Sequence, residues 1–323
     1  MSEQWQPQAS MATLRQRAQL LARTRAFFAE LGVWEVDTPL LASAGVTDPY
    51  LNVMEVAYIP EAAGEARTLY LQTSPEYAMK RLLAAGSGPI YQLGKVFRNG
   101  ERSPRHNPEF TLLEWYRPGF NDQQLMDEVA ALWHALGGME PPLRISYREA
   151  FERVLAIDPH EAPITQLQAL ARQHCGAEFA DERRDTWLEL LMSQVVEPGL
   201  APLGAVFVYD FPATQAALAR VVEDERGARV GKRFELYIRG LEVANGYWEL
   251  TDAQEQRRRF QADLAVRAQL QRRLIPLDER LLAAMQAGLP DCAGVAVGFD
   301  RLLMLLSGKQ EIAEVIPFAL ERC

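Results

Sequence analysis

The segment Tyr91 to Arg117, YQLGKVFRNGERSPRHNPEFTLLEWYR, constrains the fold more than any other stretch of the chain. Val96 and Phe97 lead an apolar strand into Arg98, a polar, turn-rich loop follows, and His106 to Phe110 open a second strand that runs to Tyr116. The loop residues suit a nucleotide. Arg98 offers a planar fork of donors matched to a phosphate oxygen, His106 a further donor, and Phe110 an aromatic face on which a purine can lie. A surface hairpin with scattered charges accounts for Arg98 or His106 singly, but poorly for Arg-Asn followed at this distance by His-Asn-Pro-Glu-Phe.

At 323 residues and 48% hydrophobic content the chain can bury one large catalytic core or two modest ones. The N-terminus, MSEQWQPQAS, has no basic or apolar leader region, and no apolar run approaches the roughly 20 residues that span a bilayer. A soluble, cytoplasmic protein is expected. Cys175, Cys292 and Cys323 are odd in number and far apart, which disfavours a disulfide framework or a zinc ribbon. The net charge of -9 disfavours non-specific nucleic-acid binding. Candidate basic patches remain at Arg226 to Arg233 and at Arg257 to Arg259, the second reading better as a solvated helix face.

Ser10 to Leu31 carries apolar residues at helical spacing and ends at Gly32; an extended VWEVDTPLL follows, stopped by Pro39. Leu69 to Gln72 predicts a short strand, and Ser74-Pro75-Glu76 opens a helix through Leu83, with Ser74 as N-cap and Pro75 at the first helical position. From Asn121 to about Pro202 the pattern is mainly helical, an insertion expected to carry no chemistry; His134, His160 and His174 lack metal-ligand spacing there. Strands resume in AVFVYDFP and in RFELYIRGLEVANGYWEL, the latter folding back about Arg239-Gly240. Helices begin near Thr251 and Asp278, and a last strand and helix occupy Gly294 to Leu306. No linker divides the chain, so a single domain over 1–323 is expected.

Glu235, Glu242 and Glu249 are spaced by seven, so on one uninterrupted strand they would alternate faces. A turn between the first two removes that objection. Facing one cleft, three carboxylates would need cations; Mg²⁺ bridging phosphates suits hard oxygen ligands, and a remaining carboxylate suits an ammonium group. Near the C-terminus, Gly298 opens a helix whose free N–H groups favour phosphate, while Arg301 can cover a purine face. Ala296 spoils a dinucleotide fingerprint, and the chain has no P-loop, G-x-S-x-G, H-E-x-x-H or kinase signature.

In order along the chain, these elements resemble those of the class II aminoacyl-tRNA synthetases. The helix and the strand ending at Pro39 resemble motif 1, TSPE an amine-binding element, the Arg98 segment motif 2, and GVAVGFDR motif 3. EVANGYWEL is similar to the E-x-x-N-G-F-x-E-L segment of the lysyl enzymes. The resemblance implies an α+β fold with an antiparallel sheet flanked by helices, a homodimer, and activation of an amino acid by attack of its carboxylate on the α-phosphate of ATP. No general base is needed, because a carboxylate is already nucleophilic at neutral pH. It further implies Arg98 and Arg301 as catalytic groups, with Asn99, Gly100, His106, Asn107, Phe110, Glu242, Val243 and Gly298 also contacting ATP. Glu235 and Glu242 would hold magnesium. Ser74, Pro75, Glu76, Tyr116, Asn245, Glu249 and Ala296 would hold a lysine-like substrate, Glu249 and Tyr116 gripping its distal amine.

Only about a dozen residues precede the motif 1 helix, which leaves no room for the anticodon-binding domain of a lysyl enzyme. That arrangement is similar to a protein-modifying branch of the family, which activates (R)-β-lysine and transfers it to a lysine side chain of elongation factor P. tRNA is not the expected acceptor. Two departures bear on this: glutamate stands at 101 where the family pattern places it at 100, and Ala296 replaces a motif 3 glycine of the tRNA-charging lysyl enzymes. The alternatives are a truncated synthetase that charges a tRNA or tRNA-like molecule, and a lysine sensor without activity.

Overall fold

The computed structural model describes residues 5–61 and 64–323; the first four residues of the polar N-terminal stretch lie outside them. In chain order, helix α1 (Met11–Glu30) precedes strands β1 (Trp34–Glu35), β2 (Leu41–Ala42), β3 (Met54–Tyr58) and β4 (Arg67–Leu71). Next come α2 (Glu76–Ala84), β5 (Ile90–Phe97), β6 (Glu109–Pro118), α3 (Asp122–Leu136) and β7 (Leu143–Ser146). The helices α4 (Tyr147–Leu155), α5 (Ile164–Cys175), α6 (Arg184–Leu191) and α7 (Glu197–Leu200) lead to β8 (Ala205–Pro212), β9 (Val221–Glu223), β10 (Arg229–Ile238) and β11 (Leu241–Trp248). The chain closes with α8 (Ala253–Gln269), α9 (Glu279–Gly288), β12 (Cys292–Gly298) and α10 (Phe299–Ser307).

Contacts divide these elements into two units. The first comprises Met1–Gly119, Thr251–Cys292 and Ala296–Cys323, and the second Phe120–Leu250 with Ala293–Val295.

In the first unit β5 and β6 form the expected antiparallel pair, Ile90 opposite Tyr116 and Phe97 opposite Glu109. The two-residue β1 joins β5 in parallel, and β2, β4 and β3 make a small separate antiparallel sheet. Ser10, where the sequence reading begins the helix, stands just outside α1 as its cap, its hydroxyl accepting from the Thr13 amide. Phe28 of α1 then stacks on Tyr91 with ring centroids 4.4 Å apart and meets Trp115 edge-on at 5.2 Å. Arg17, about three turns earlier on the same helix, donates to Asp300 of α10 at 2.5 Å and to Thr111 of β6 at 2.6 Å. The second Asp300 oxygen accepts from the Thr111 amide. A single buried ion pair thus ties together the three segments that resemble motifs 1, 2 and 3.

In the second unit β10 pairs antiparallel with β11, β8 and β9, and the turn falls at Arg239 and Gly240, both at positive φ, as a two-residue hairpin favours. The helical stretch is not wholly helical: β7 joins β8 in parallel, so the sheet is mixed rather than purely antiparallel. Four residues with weak alternation gave no local sign of this pairing, which depends on a partner some sixty positions away. Around it the α4, α5 and α6 helices bury their own core, which includes Tyr147, Phe151, Leu167, Trp187 and Leu191.

The basic stretch 226–233 is split: Arg226 and Arg229 are exposed, Arg226 pairing with Glu152 at 3.2 Å, while Lys232 and Arg233 turn to partners within the fold. Lys232 donates to Asp210 at 2.7 Å, and the half-buried Arg233 pairs with Glu235, its guanidinium 4.6 Å from the Phe211 ring. Arg257 pairs with Glu279, and Arg258 and Arg259 with Glu255, as a solvated helix face does. Among the described residues no helix is long and apolar enough to cross a membrane.

Candidate active site

The loop between β5 and β6 is pinned at both ends. The Arg98 amide donates to the Pro108 carbonyl and the Asn99 amide to the Asn52 carbonyl. Gly100, at φ +82°, reverses the chain so that Glu101 faces back on Arg98 at 3.6 Å, which answers how the displaced glutamate is used. The Arg98 guanidinium lies 5.0 Å from the Phe110 ring centroid, and its buried Nε has no hydrogen-bond partner among the described residues. A dry donor left unmatched is costly, so a ligand oxygen is its natural complement.

His106, expected as an extra phosphate donor, has its ring engaged by Arg301 and Ser103. Nη2 of Arg301 lies 2.5 Å from its Nε2, and a guanidinium can only donate, so the imidazole accepts there and keeps its proton on Nδ1, 2.7 Å from the Ser103 hydroxyl. Burial lowers the imidazole pKa, the Arg301 cation adds to the effect, and the neutral ring holds Arg301 in place. The Asn107 side chain is likewise engaged within the protein. Its Nδ2 donates to the Glu109 carbonyl at 2.6 Å and its Oδ1 accepts from the Leu320 amide at 3.1 Å, so its amide braces the loop against the C-terminal segment.

Helix α2 begins one residue later than predicted: Pro75 is the N-cap, and Ser74 caps from outside through the Glu76 amide at 3.0 Å. Ser74 also donates to Glu114 at 2.7 Å, and the Tyr116 hydroxyl donates to the other Glu114 oxygen at 2.7 Å. Lys80, 1% exposed, donates to Glu76 at 2.6 Å. Burial, with the Glu76 charge adding to it, pushes the Glu114 carboxyl up to about 7. The sequence reading missed Glu114 and Lys80. Their signal was present in a lone acid within the apolar run TLLEWY and a lysine four residues after Glu76, on the buried side of its helix.

In the second unit a β-bulge resolves the parity problem. Leu236 pairs with Ala244 but Tyr237 pairs with Glu242, so Val243 is an extra residue on β11. Glu242 therefore shares a face with Asn245, which lies opposite Glu235. By alternation Tyr247 and Glu249 follow on that face. The Val243 side chain is 3% exposed, which leaves only its irregular backbone for a ligand. Glu235 accepts from Arg233 and from the Tyr237 hydroxyl; burial raises its pKa, the Arg233 cation opposes this, and the Glu242 charge adds to it. Glu249 is fully buried, and the buried Oδ1 of Asn245 has no hydrogen-bond partner among the described residues.

Among the described residues no three His, Cys, Asp or Glu side chains are placed to hold a metal. Two carboxylates on one face still fit Mg²⁺, which commonly takes one or two protein carboxylates and completes its shell with phosphate oxygens and water. In the first unit, Ala296 and Gly298 share the partly exposed face of β12, and Val297 between them is buried. A Cβ at Gly298 would meet only the Arg301 side chain, at an ordinary 3.5 Å, so packing within the protein does not demand glycine there.

Residues 4–322 match the family model described as tRNA synthetases class II (D, K and N). The chain is 49% identical over 322 residues to the elongation factor P--(R)-beta-lysine ligase of Histophilus somni (strain 2336), covering 99% of each protein. It is 47% identical over 319 residues to the ligase of the same name from Pasteurella multocida (strain Pm70), covering 99% of this chain and 98% of that one. The Proteus mirabilis (strain HI4320) ligase is 48% identical over 320 residues, with 98% of each covered.

Proposed function

The chain belongs to the class II tRNA synthetases of the D, K and N type, and on that premise we propose that it is an ATP-dependent ligase acting on (R)-β-lysine and elongation factor P. The observation that carries this is the near full-length match, at 47–49% identity, to ligases bearing that name. In the first step the amino acid carboxylate attacks the α-phosphorus of ATP, forming the aminoacyl adenylate and expelling pyrophosphate. In the second a lysine Nζ of elongation factor P attacks the adenylate carbonyl, forms an amide and expels AMP, losing its proton to solvent.

Both steps depend on positioning and charge neutralisation. Arg98 donates to the phosphate on which charge accumulates, and Arg301, steadied by His106, covers the purine opposite Phe110. Asn99, Gly100, Gly298 and the Val243 backbone line the nucleotide's path. Glu235 and Glu242 are the residues that would hold Mg²⁺, which when bound neutralises phosphate charge. Ser74, Pro75, Glu76, Tyr116, Asn245, Glu249 and Ala296 hold the amino acid, carboxylates facing its ammonium groups. We further propose that the chain acts as one catalytic domain, as a homodimer and in the cytoplasm.

The test is amino-acid-dependent ATP–pyrophosphate exchange with α-lysine and both β-lysine enantiomers, followed by label transfer in a mixture of elongation factor P and total tRNA. Exchange strongest with (R)-β-lysine and label on the protein band are expected. Ribonuclease-sensitive label, with none on protein, would overturn the reading.

A further inference from the structure

Two carboxylates and one ammonium are packed into the base of α2 and the adjoining part of β6. Lys80 is buried, with Nζ 2.6 Å from Glu76 Oε1. Glu114, 2% exposed, accepts from Ser74 and from Tyr116, and Ser74 in turn accepts from the Glu76 amide, so the four groups form one hydrogen-bonded chain. The groups facing Glu114 are Tyr116 on its own strand, Glu76 and Lys80 on α2, and Ser74 in the turn before it. Gln92, its cross-strand neighbour on β5, is uncharged and accepts from the Thr38 amide.

With both carboxylates ionised this group carries one negative charge in excess. Without the lysine, nothing on α2 would offset the Glu76 charge that favours the neutral form of the buried Glu114. We propose that Lys80 is a positioning residue whose ammonium offsets the Glu76 charge beside Glu114, so that binding of a cationic amino acid is coupled to loss of a proton from Glu114. This rests on the lysine activation proposed above. The sign follows from the charges: an incoming ammonium favours the ionised form of Glu114, and burial favours the neutral form, so binding expels the proton. With the Glu114 carboxyl pushed up to about 7, the free protein at neutral pH has this proton to release.

Calorimetric titration of the full chain with (R)-β-lysine at pH 7, in buffers of different ionisation enthalpy, counts the proton. Release of roughly half a proton per site is expected, and binding without release overturns the proposal alone. Absence of binding by any lysine isomer overturns the proposed activity and this inference with it. In the exchange reaction Lys80→Met should raise the amino acid KM about tenfold at pH 7, one pKa unit being a factor of ten, with the ATP KM unchanged and the deficit shrinking towards pH 9. Lys80→Arg, which keeps the charge, should restore the pH profile. Equal rises in both KM values, or a deficit that ignores pH, would mean a merely structural lysine. Should Lys80→Met fail to fold, the proton count on the unaltered protein decides.

Discussion

Gly246 lies directly opposite Phe234 in the β10–β11 pair, and a Cβ built on it would fall 2.4 Å from Cζ of the Phe234 ring. The fully buried ring occupies the volume a side chain would need, and Val295 closes the remaining side at 2.9 Å. The glycine of the N-G pair is thus a packing requirement, and it fixes the backbone from which Asn245 projects. Gly246→Ala should destabilise the protein by about 1–3 kcal/mol, the usual cost of overpacking, and raise the amino acid KM by displacing Asn245. Denaturant unfolding with an unchanged midpoint would contradict this.

Arg98→Ala should abolish most adenylate formation while leaving the fold intact. A preorganised donor aimed at developing charge in a dry site contributes about 3 kcal/mol, or on the order of 10²-fold in rate. Near-normal exchange by a folded variant would remove Arg98 from the chemistry.

His106→Ala should raise the ATP KM by about tenfold, as the loss of one hydrogen bond to a charged group implies, with the amino acid KM unaffected. His106→Gln, which can still accept from Arg301, should recover part of the loss. Since burial and Arg301 hold the imidazole pKa below its ordinary 6.5, the ring stays neutral as pH falls to that value. The ATP KM of the unaltered protein should therefore be flat between pH 8 and 6.5; a rise beginning near pH 7 would show that the ring charges more easily.

Glu249→Gln should weaken the amino acid far more than ATP, because it removes a fully buried carboxylate suited to an ammonium partner. Tyr116→Phe should act in the same direction more mildly, its hydroxyl being a donor to Glu114. Calorimetry on each ligand separately checks the division, and equal losses for both would refute it.

Much of the architecture was legible because its signals are local. The first helix, the strand AVFVYDFP and the turn at Arg239-Gly240 depend on residues within a few positions of one another. The Val243 bulge was not legible, for nothing in EVANGYWEL shows which residue is left over until β10 is laid beside it. The roles of Asn107 and His106 were obscured similarly: each residue type can bind a nucleotide, but Leu320 and Arg301, far along the chain, had already claimed their polar atoms. Arg17 looked like one more charge on an amphipathic helix, and only its approach to Asp300 shows that it joins three motifs.

Ala296 is the residue at which selectivity between amino acids is expected to be set. It shares the partly exposed face of β12 with Gly298, two positions before the start of the α10 helix that carries Arg301. Its methyl therefore projects from the partly exposed face of the strand, opposite the buried Val295 and Val297. Moving an amine from the α to the β carbon displaces a charged group by about one bond, and a single methyl discriminates such analogues by roughly 1–3 kcal/mol. Ala296→Gly removes one methyl from a partly exposed position, so the fold and the ATP KM should hold. Activity with α-lysine should rise relative to (R)-β-lysine, by about tenfold or more in the ratio of kcat/KM at the lower end of that range. An unchanged ratio in a folded variant would move selectivity away from β12 and onto the carboxylates that face the amine.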